Sequence, residues 1–247
     1  LNDCLKKISK NTKVIMPVYL YGNLFSTYKL RKKIRKNIFI IEDSAHAFCG
    51  EYNNSPLGKF SDFTVFSFYA TKSITCGEGG AIITNHKSYS DKIRSISNNG
   101  MTKPAFKRFV NNKYIPWDVY NYGFKSNLSD INASILVDQI KGYSKIAKLK
   151  KIIFKKFKKE LCKIPQISFP TEKPNKDRDY YLFPIGVKKK FRNKLIEHLL
   201  KKKIFVTVNF NSITKLNYYK KKYKKPMCPI SENWGMEQLS LPFHIKL

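Results

Sequence analysis

Two short apolar runs with a helical stretch between them open the pattern. Lys13 to Val18 (KVIMPV) stops at a glycine-containing turn over Tyr21, Gly22 and Asn23, and Ile38 to Ile41 (IFII) runs straight into Glu42 and Asp43. Between them Ser26 to Lys36 has helical spacing, with Ser26 placed as an N-cap. The succession predicts a βαβ unit whose strands, apolar throughout, lie in a parallel sheet covered on both faces. Ligands of open α/β sheets gather beyond the carboxyl ends of the strands. Asp43 therefore stands where chemistry is expected.

Two further short strands are predicted, Phe63 to Phe68 (FTVFSF) and Ala81 to Thr84 (AIIT), separated by a loop that holds Lys72 and the turn Gly77-Glu78-Gly79-Gly80. Helical spacing returns at Ser88 to Ser97. From Asn98 to Lys125 the chain is polar and rich in aromatics with little periodicity, as expected of a segment that wraps a surface or a partner subunit. Asp130 to about Leu161 then reads as one long amphipathic helix, with Ile131, Ile135, Ile140, Ile146, Leu149 and Ile153 along it. Beyond it come a strand over Tyr180 to Val187, a helix over Phe191 to Lys203 and a strand over Ile204 to Val208. That order predicts a large first lobe over residues 1–140 and a smaller α+β lobe over 141–247, joined by the long helix.

Composition bounds the function classes. A chain of 247 residues with 42% hydrophobic content can bury a sizeable core. No apolar stretch approaches the roughly 18 residues of a membrane span, and LNDCLKKISK has the form of no secretory signal; a cytoplasmic location is expected. Five cysteines, an odd number without CxxC spacing, argue against a disulfide framework and structural zinc. The net charge of +31 would normally suggest nucleic acid. Yet only six of the 48 basic residues are Arg (Arg31, Arg35, Arg94, Arg108, Arg178, Arg192), while base readout leans on Arg forks. The excess is concentrated in residues 141–247, with 28 basic against 7 acidic, in runs such as Lys155 to Lys159, Lys188 to Lys190, Lys201 to Lys203 and Lys220 to Lys225. Solvated helical faces explain such runs better than a nucleic-acid site.

The specific chemistry lies in three stretches: Ile40 to Phe48 (IIEDSAHAF), Thr64 to Asn85 (TVFSFYATKSITCGEGGAIITN) and Gly123 to Ile135 (GFKSNLSDINASI). Together they resemble the DegT/DnrJ/EryC1/StrS family of pyridoxal-phosphate-dependent sugar aminotransferases. The resemblance runs from about Thr12 to the C-terminus and takes in PVYLYG (Pro17 to Gly22), YYLFPI (Tyr180 to Ile185) and LSLPFH (Leu239 to His244). It implies an α/β fold of fold type I, like aspartate aminotransferase, with a mainly parallel sheet in the large lobe.

The resemblance assigns roles residue by residue. Lys72 is the lysine whose amine holds the pyridoxal 5'-phosphate aldehyde and later moves a proton. Asp43 is the carboxylate that keeps the pyridine nitrogen protonated. His46 falls where the family has Gln or His against the cofactor ring. Ser67, five residues before Lys72, matches the phosphate-binding serine, and a hydroxyl at a strand end is a competent phosphate donor. Asn127, with Lys125, matches a phosphate contact reaching in from a neighbouring subunit, which implies a homodimer with shared sites. The glycines at 77, 79 and 80 form no Walker A loop; they suit a tight turn near the lysine, and Glu78 has no assigned role.

The implied reaction transfers an amino group, from glutamate, to a nucleotide-linked keto sugar for a surface glycan. The ITCGEGG loop looks closest to members that aminate C4. Members that dehydrate their sugar carry histidine in place of the lysine retained here. A cationic surface would suit a nucleotide diphosphate, although a catalytically silent homologue and a basic nucleic-acid binder are rival readings. Two departures stand out. The glycine- and serine-rich segment with which the family opens a helix toward the phosphate would precede PVYLYG and is not in this chain, which reads as roughly a hundred residues shorter than the family. Tyr19 and Thr214 stand where the family often has histidines.

Overall fold

The structure is a computed structural model that describes residues 1–52, 54–101, 108–171, 178–223 and 228–247. Parts of two sequence features, the Asn98 to Lys125 stretch (at 102–107) and the Lys220 to Lys225 run (at 224–225), lie outside the described residues. The chain divides into two compact units, one of Leu1–Tyr19 with Leu24–Lys141, the other of Leu20–Asn23 with Gly142–Leu247.

In the first unit helix α1 (Asn2–Lys7) leads to strand β1 (Val14–Ile15), and helix α2 (Thr27–Arg31) leads to strand β2 (Phe39–Asp43). A small hairpin, β3 (Glu51–Tyr52) with β4 (Ser55–Pro56), precedes β5 (Phe63–Ser67) and β6 (Gly80–Ile83). The main sheet has four strands in the order β1-β2-β5-β6. The first three are parallel: Val14 pairs with Phe39, and Asp43 with Val65. β6 returns antiparallel, Ser67 opposite Gly80, because the connecting loop carries no crossover helix.

Local chemistry explains where these elements differ from the predicted ones. β1 is two residues long, with a separate bridge from Val18 to Asp43, because Pro17 has no N–H to give the ladder. α2 begins as predicted, Ser26 accepting the Lys29 N–H at 3.2 Å, but ends at Arg31 rather than Lys36. Five cations crowd Arg31 to Lys36 with no acidic partner one turn away, and the Arg31 guanidinium turns instead to the Ile38 carbonyl and to Asp62.

Helix α3 (Lys87–Ile96) is followed by an excursion that the sequence pattern did not resolve. Its described part holds a hairpin, β7 (Phe109–Val110) with β8 (Lys113–Tyr114), turned by Asn111 and Asn112, both at positive φ (50° and 59°). This is the two-residue hairpin turn for which asparagine is suited. Main-chain bonds zip the base: Asn99 N–H to the Phe124 carbonyl at 2.9 Å, Phe124 N–H to Ile96 at 2.7 Å and Ser126 N–H to Ser97 at 2.9 Å. Gly100 (φ +73°) and Gly123 allow this approach, since a Cβ on Gly123 would lie 2.0 Å from the Gly100 nitrogen.

Helix α4 (Asp130–Leu161) spans 32 residues, as its periodicity predicts, and contributes to both units. In the second unit β9 (Ile167–Ser168), β10 (Phe183–Val187) and β11 (Gln238–Leu241) form an antiparallel sheet in the order β11-β10-β9. β10 is buried along its whole length, and Phe183, Ile185, Val187, Leu239 and Phe154 make the core. Helix α5 (Lys189–Lys201) covers it with Leu195, Ile196 and Leu199, and helices α6 (Asn217–Lys222) and α7 (Pro229–Glu237) follow. The strand predicted over Ile204 to Val208 does not form. It is reduced to one bridge, Thr207 to Ser240 on the outer edge of β11, and Phe205 is left exposed. No helix among the described residues is long and apolar enough to cross a membrane.

Candidate active site

The site is built on the carboxyl end of β2, in the first unit. The Asp43 N–H donates to the Pro17 carbonyl at 2.9 Å, and the Asp43 carbonyl accepts from Tyr19 N–H at 3.0 Å. Ser44 N–H donates to Val65 at 2.9 Å, so the backbone here is held from both neighbouring strands. The Asp43 carboxylate then accepts the Ala45 N–H at 3.0 Å, which turns the chain out of the strand. His46 sits buried in that turn.

Lys72 comes from the loop after β5. Its N–H donates to the Tyr69 carbonyl at 2.9 Å, while the Thr75 hydroxyl and the Cys76 N–H both return to the Phe68 carbonyl at 3.1 Å. The loop is thereby closed on itself, and Lys72 is half-buried. Burial lowers the Lys72 amine below the ordinary lysine range, against the pull of the Asp43 carboxylate, which raises it. Burial, and secondly the positive charge of Lys72, push the His46 imidazole down to about 4. The structure thus brings Lys72 into electrostatic reach of both Asp43 and His46.

The other candidates are placed less centrally. Ser67 ends β5, half-buried, with its hydroxyl 3.4 Å from the Tyr69 N–H. Asn127 is exposed and lines an open cavity of about 640 Å³ together with Val65, Gly80, Ile82 and Arg94. Lys125 is exposed and bridges to Asn98.

Sequence reasoning passed over two residues that the structure makes prominent. Glu42, 1% exposed, receives the Tyr19 hydroxyl at 2.8 Å, the Thr64 hydroxyl at 2.7 Å and the Gly58 N–H at 2.8 Å. A buried carboxylate is tolerated only when so satisfied. The signal was the period of two: Ile40 and Glu42 share the buried face of β2, and Asp43 faces the other way. Tyr19 therefore serves this hub, and burial together with Glu42 raises its phenol above the ordinary range. Gln139 of α4 is the second: its side chain bonds the backbone of the Lys72 loop at Thr75. Thr214, the other departure, donates to Glu232 at 2.7 Å in the second unit.

The arrangement fits a pyridoxal group by its donor set: an amine with lowered basicity, a carboxylate at a strand end and an uncharged imidazole, the amine feeling the charge of the carboxylate and acting on the imidazole. It also carries a pH signature. The His46 imidazole is held below its unfolded value of 6.5, so between pH 4 and 6.5 the unfolded chain binds more protons than the folded one, and stability rises with pH across that window. Urea unfolding of cofactor-free protein is expected to show on the order of 2–3 kcal/mol lost as pH falls from 7 to 4. The loss should shrink by most of that amount in His46→Gln; equal losses in both proteins would refute the assignment.

Comparison with known proteins follows the same line. Residues 2–247 match the sequence profile of the DegT/DnrJ/EryC1/StrS aminotransferase family. The chain is 30% identical to the GDP-perosamine synthase of Escherichia coli O157:H7, over 98% of this chain and 63% of that protein. Helicobacter pylori PseC, an aminotransferase involved in the biosynthesis of pseudoaminic acid, superposes with a TM-score of 0.86 at 28% identity, over 98% of this chain and 64% of that one. The Spr1654 protein of Streptococcus pneumoniae, solved in a PLP form, superposes with a TM-score of 0.85 at 25% identity, over 100% of this chain and 67% of that one. The chain spans a little under two thirds of the length of the relative named first.

Proposed function

The chain belongs to the DegT/DnrJ/EryC1/StrS aminotransferase family, and from that premise we propose that it carries the lysine-bearing part of an enzyme that moves an amino group to a nucleotide-linked keto sugar. Its fold is α/β of fold type I, with a mixed, mostly parallel sheet in the first unit. The observation that carries the proposal is the grouping of Lys72 with Asp43 and His46 at the carboxyl end of the sheet.

Pyridoxal 5'-phosphate, when bound, supplies an electron sink for the substrate carbon that gains or loses a proton. The residues do the rest. Lowered basicity leaves more of the Lys72 amine unprotonated at neutral pH, ready to attack a carbonyl and afterwards to carry a proton. Asp43 presents a fixed negative charge that favours a protonated ring nitrogen. His46, uncharged at neutral pH, adds no competing cation. Ser67 is assigned to the phosphate, and Asn127 to the phosphate of a second copy's site, which makes the active form a homodimer. The exposed aromatics Tyr120, Tyr122 and Phe124, close in sequence to Asn127, support such pairing.

Glutamate as donor, C4 as the aminated position and a surface glycan as destination follow from the motif resemblance, and a cytoplasmic site of action suits a soluble donor and a nucleotide-activated acceptor. The test is direct. Full-length protein given pyridoxal phosphate, glutamate and a nucleotide-linked 4-keto sugar should release 2-oxoglutarate in step with a 4-amino sugar, identified by mass and by NMR of the sugar ring. No product with 4-keto sugars but turnover with 3-keto sugars would move the position; none with either would overturn the proposal.

A further inference from the structure

Helix α4 grips the loop that carries Lys72. Gln139 makes a two-point pairing with a single residue 64 positions earlier: its Oε1 accepts the Thr75 N–H at 3.0 Å, and its Nε2 donates to the Thr75 carbonyl at 2.7 Å. The same Nε2 lies 2.9 Å from the Ile135 carbonyl one turn back on the helix, which fixes the side chain before it meets the loop. Seven residues earlier, and so two turns along the same face, Asn132 donates from Nδ2 to the Glu78 carbonyl at 3.2 Å.

The loop has no ladder of its own to hold it. Between Ser67 and Gly80 it is irregular, and several of its internal bonds converge on two groups: the Phe68 carbonyl, which takes Thr75 and Cys76, and the Thr75 hydroxyl, which takes the Gly77 N–H at 3.0 Å. Thr75 is thus the residue on which the loop closes, and it is the one that Gln139 holds by both main-chain groups. Lys72 lies three residues before it. A side-chain amide that pairs with a backbone amide in this way sets position and rotation together, because two parallel bonds leave no free swivel.

We propose that Gln139, assisted by Asn132, is a positioning residue that holds the Lys72 loop so that the lysine stays half-buried beside Asp43 and His46. Its link to cofactor chemistry rests on the function proposed above; its effect on the lysine does not. Freed from the clamp, the loop would let Lys72 reach water, and the amine would recover ordinary basicity.

The experiment separates the two levels. Lys72 in cofactor-free full-length protein is labelled with trace acetic anhydride across pH, and the labelled peptide is read by mass spectrometry, which reports the amine's own titration. Gln139→Ala, and Gln139→Met to keep the side chain's length without its polar groups, are each expected to raise the labelling midpoint toward that of an ordinary lysine, so that labelling at neutral pH falls below wild type. An Ala147→Gly control, which weakens the same helix away from the loop, should lower the melting temperature while leaving the midpoint where it is. Wild-type midpoints in both Gln139 variants would overturn the proposal, as would a shifted midpoint in the control. In parallel, borohydride trapping of pyridoxal phosphate on Lys72 should fall in the same two variants. If wild-type protein takes up no cofactor while the labelling still shifts, the cofactor reading fails and the positioning role stands.

Discussion

Lys72→Ala in the full-length protein is expected to lose transamination by about 10⁴-fold or more, because it removes both the covalent tether and the group that moves the proton. The informative companion is Lys72→Arg. It keeps a positive charge beside Asp43 and His46, but a guanidinium stays protonated and offers no amine. If the residue acted only as a cation, about tenfold would be lost; if it acts as an amine, Arg should be as inactive as Ala. The readout is keto-sugar-dependent loss of the amino donor, with circular dichroism to show that both proteins are folded. Activity in Lys72→Arg within tenfold of wild type would remove the central residue from the proposal.

Asp43→Asn should cost about 10³-fold in kcat by a different route. The amide is the same size and can still accept the Ala45 N–H, so the turn out of β2 should survive. What disappears is the charge. Without it the ring nitrogen has no partner that favours its proton, and the Lys72 amine loses the one influence that raises its basicity. Borohydride trapping of the cofactor on Lys72 should therefore remain strong at neutral pH while turnover collapses. Stability should change by less than about 1 kcal/mol, since the buried hub belongs to Glu42. Full turnover in Asp43→Asn, or loss of folding, would each contradict this division of labour.

These two residues show what the sequence made legible. Asp43, Lys72 and His46 were picked out as candidates by motif resemblance and strand-end logic, both of which are local in the chain. α4 was readable because apolar residues recur at helical steps over its 32 residues, but its buried apolar positions are Leu136, Tyr143 and Phe154, whereas Ile131, Ile135, Ile140 and Leu149 are exposed. Glu42 was passed over beside Asp43, although strand alternation sends adjacent side chains to opposite faces. Gln139 had no local signal at all: nothing in its neighbourhood tells of a backbone partner 64 positions away. The β7–β8 hairpin was missed although its Asn-Asn turn was available to be read, and β11 was seen only as a family motif. Ile204 to Val208 was read as a full strand, whereas it meets the edge of β11 at Thr207 alone; an apolar run does not say how many of its residues will pair.

The zipped base of the excursion between α3 and α4 offers an experimental handle. Closure depends on main-chain bonds and on two glycines that cannot be replaced without collision, whereas the Asn111–Asn112 tip has only solvent-facing turn chemistry to satisfy. A small reporter domain grafted into that tip would leave the foundation untouched while obstructing any second chain that leans on the aromatics. If two chains pair there as proposed, assembly would then be switched off by bulk alone.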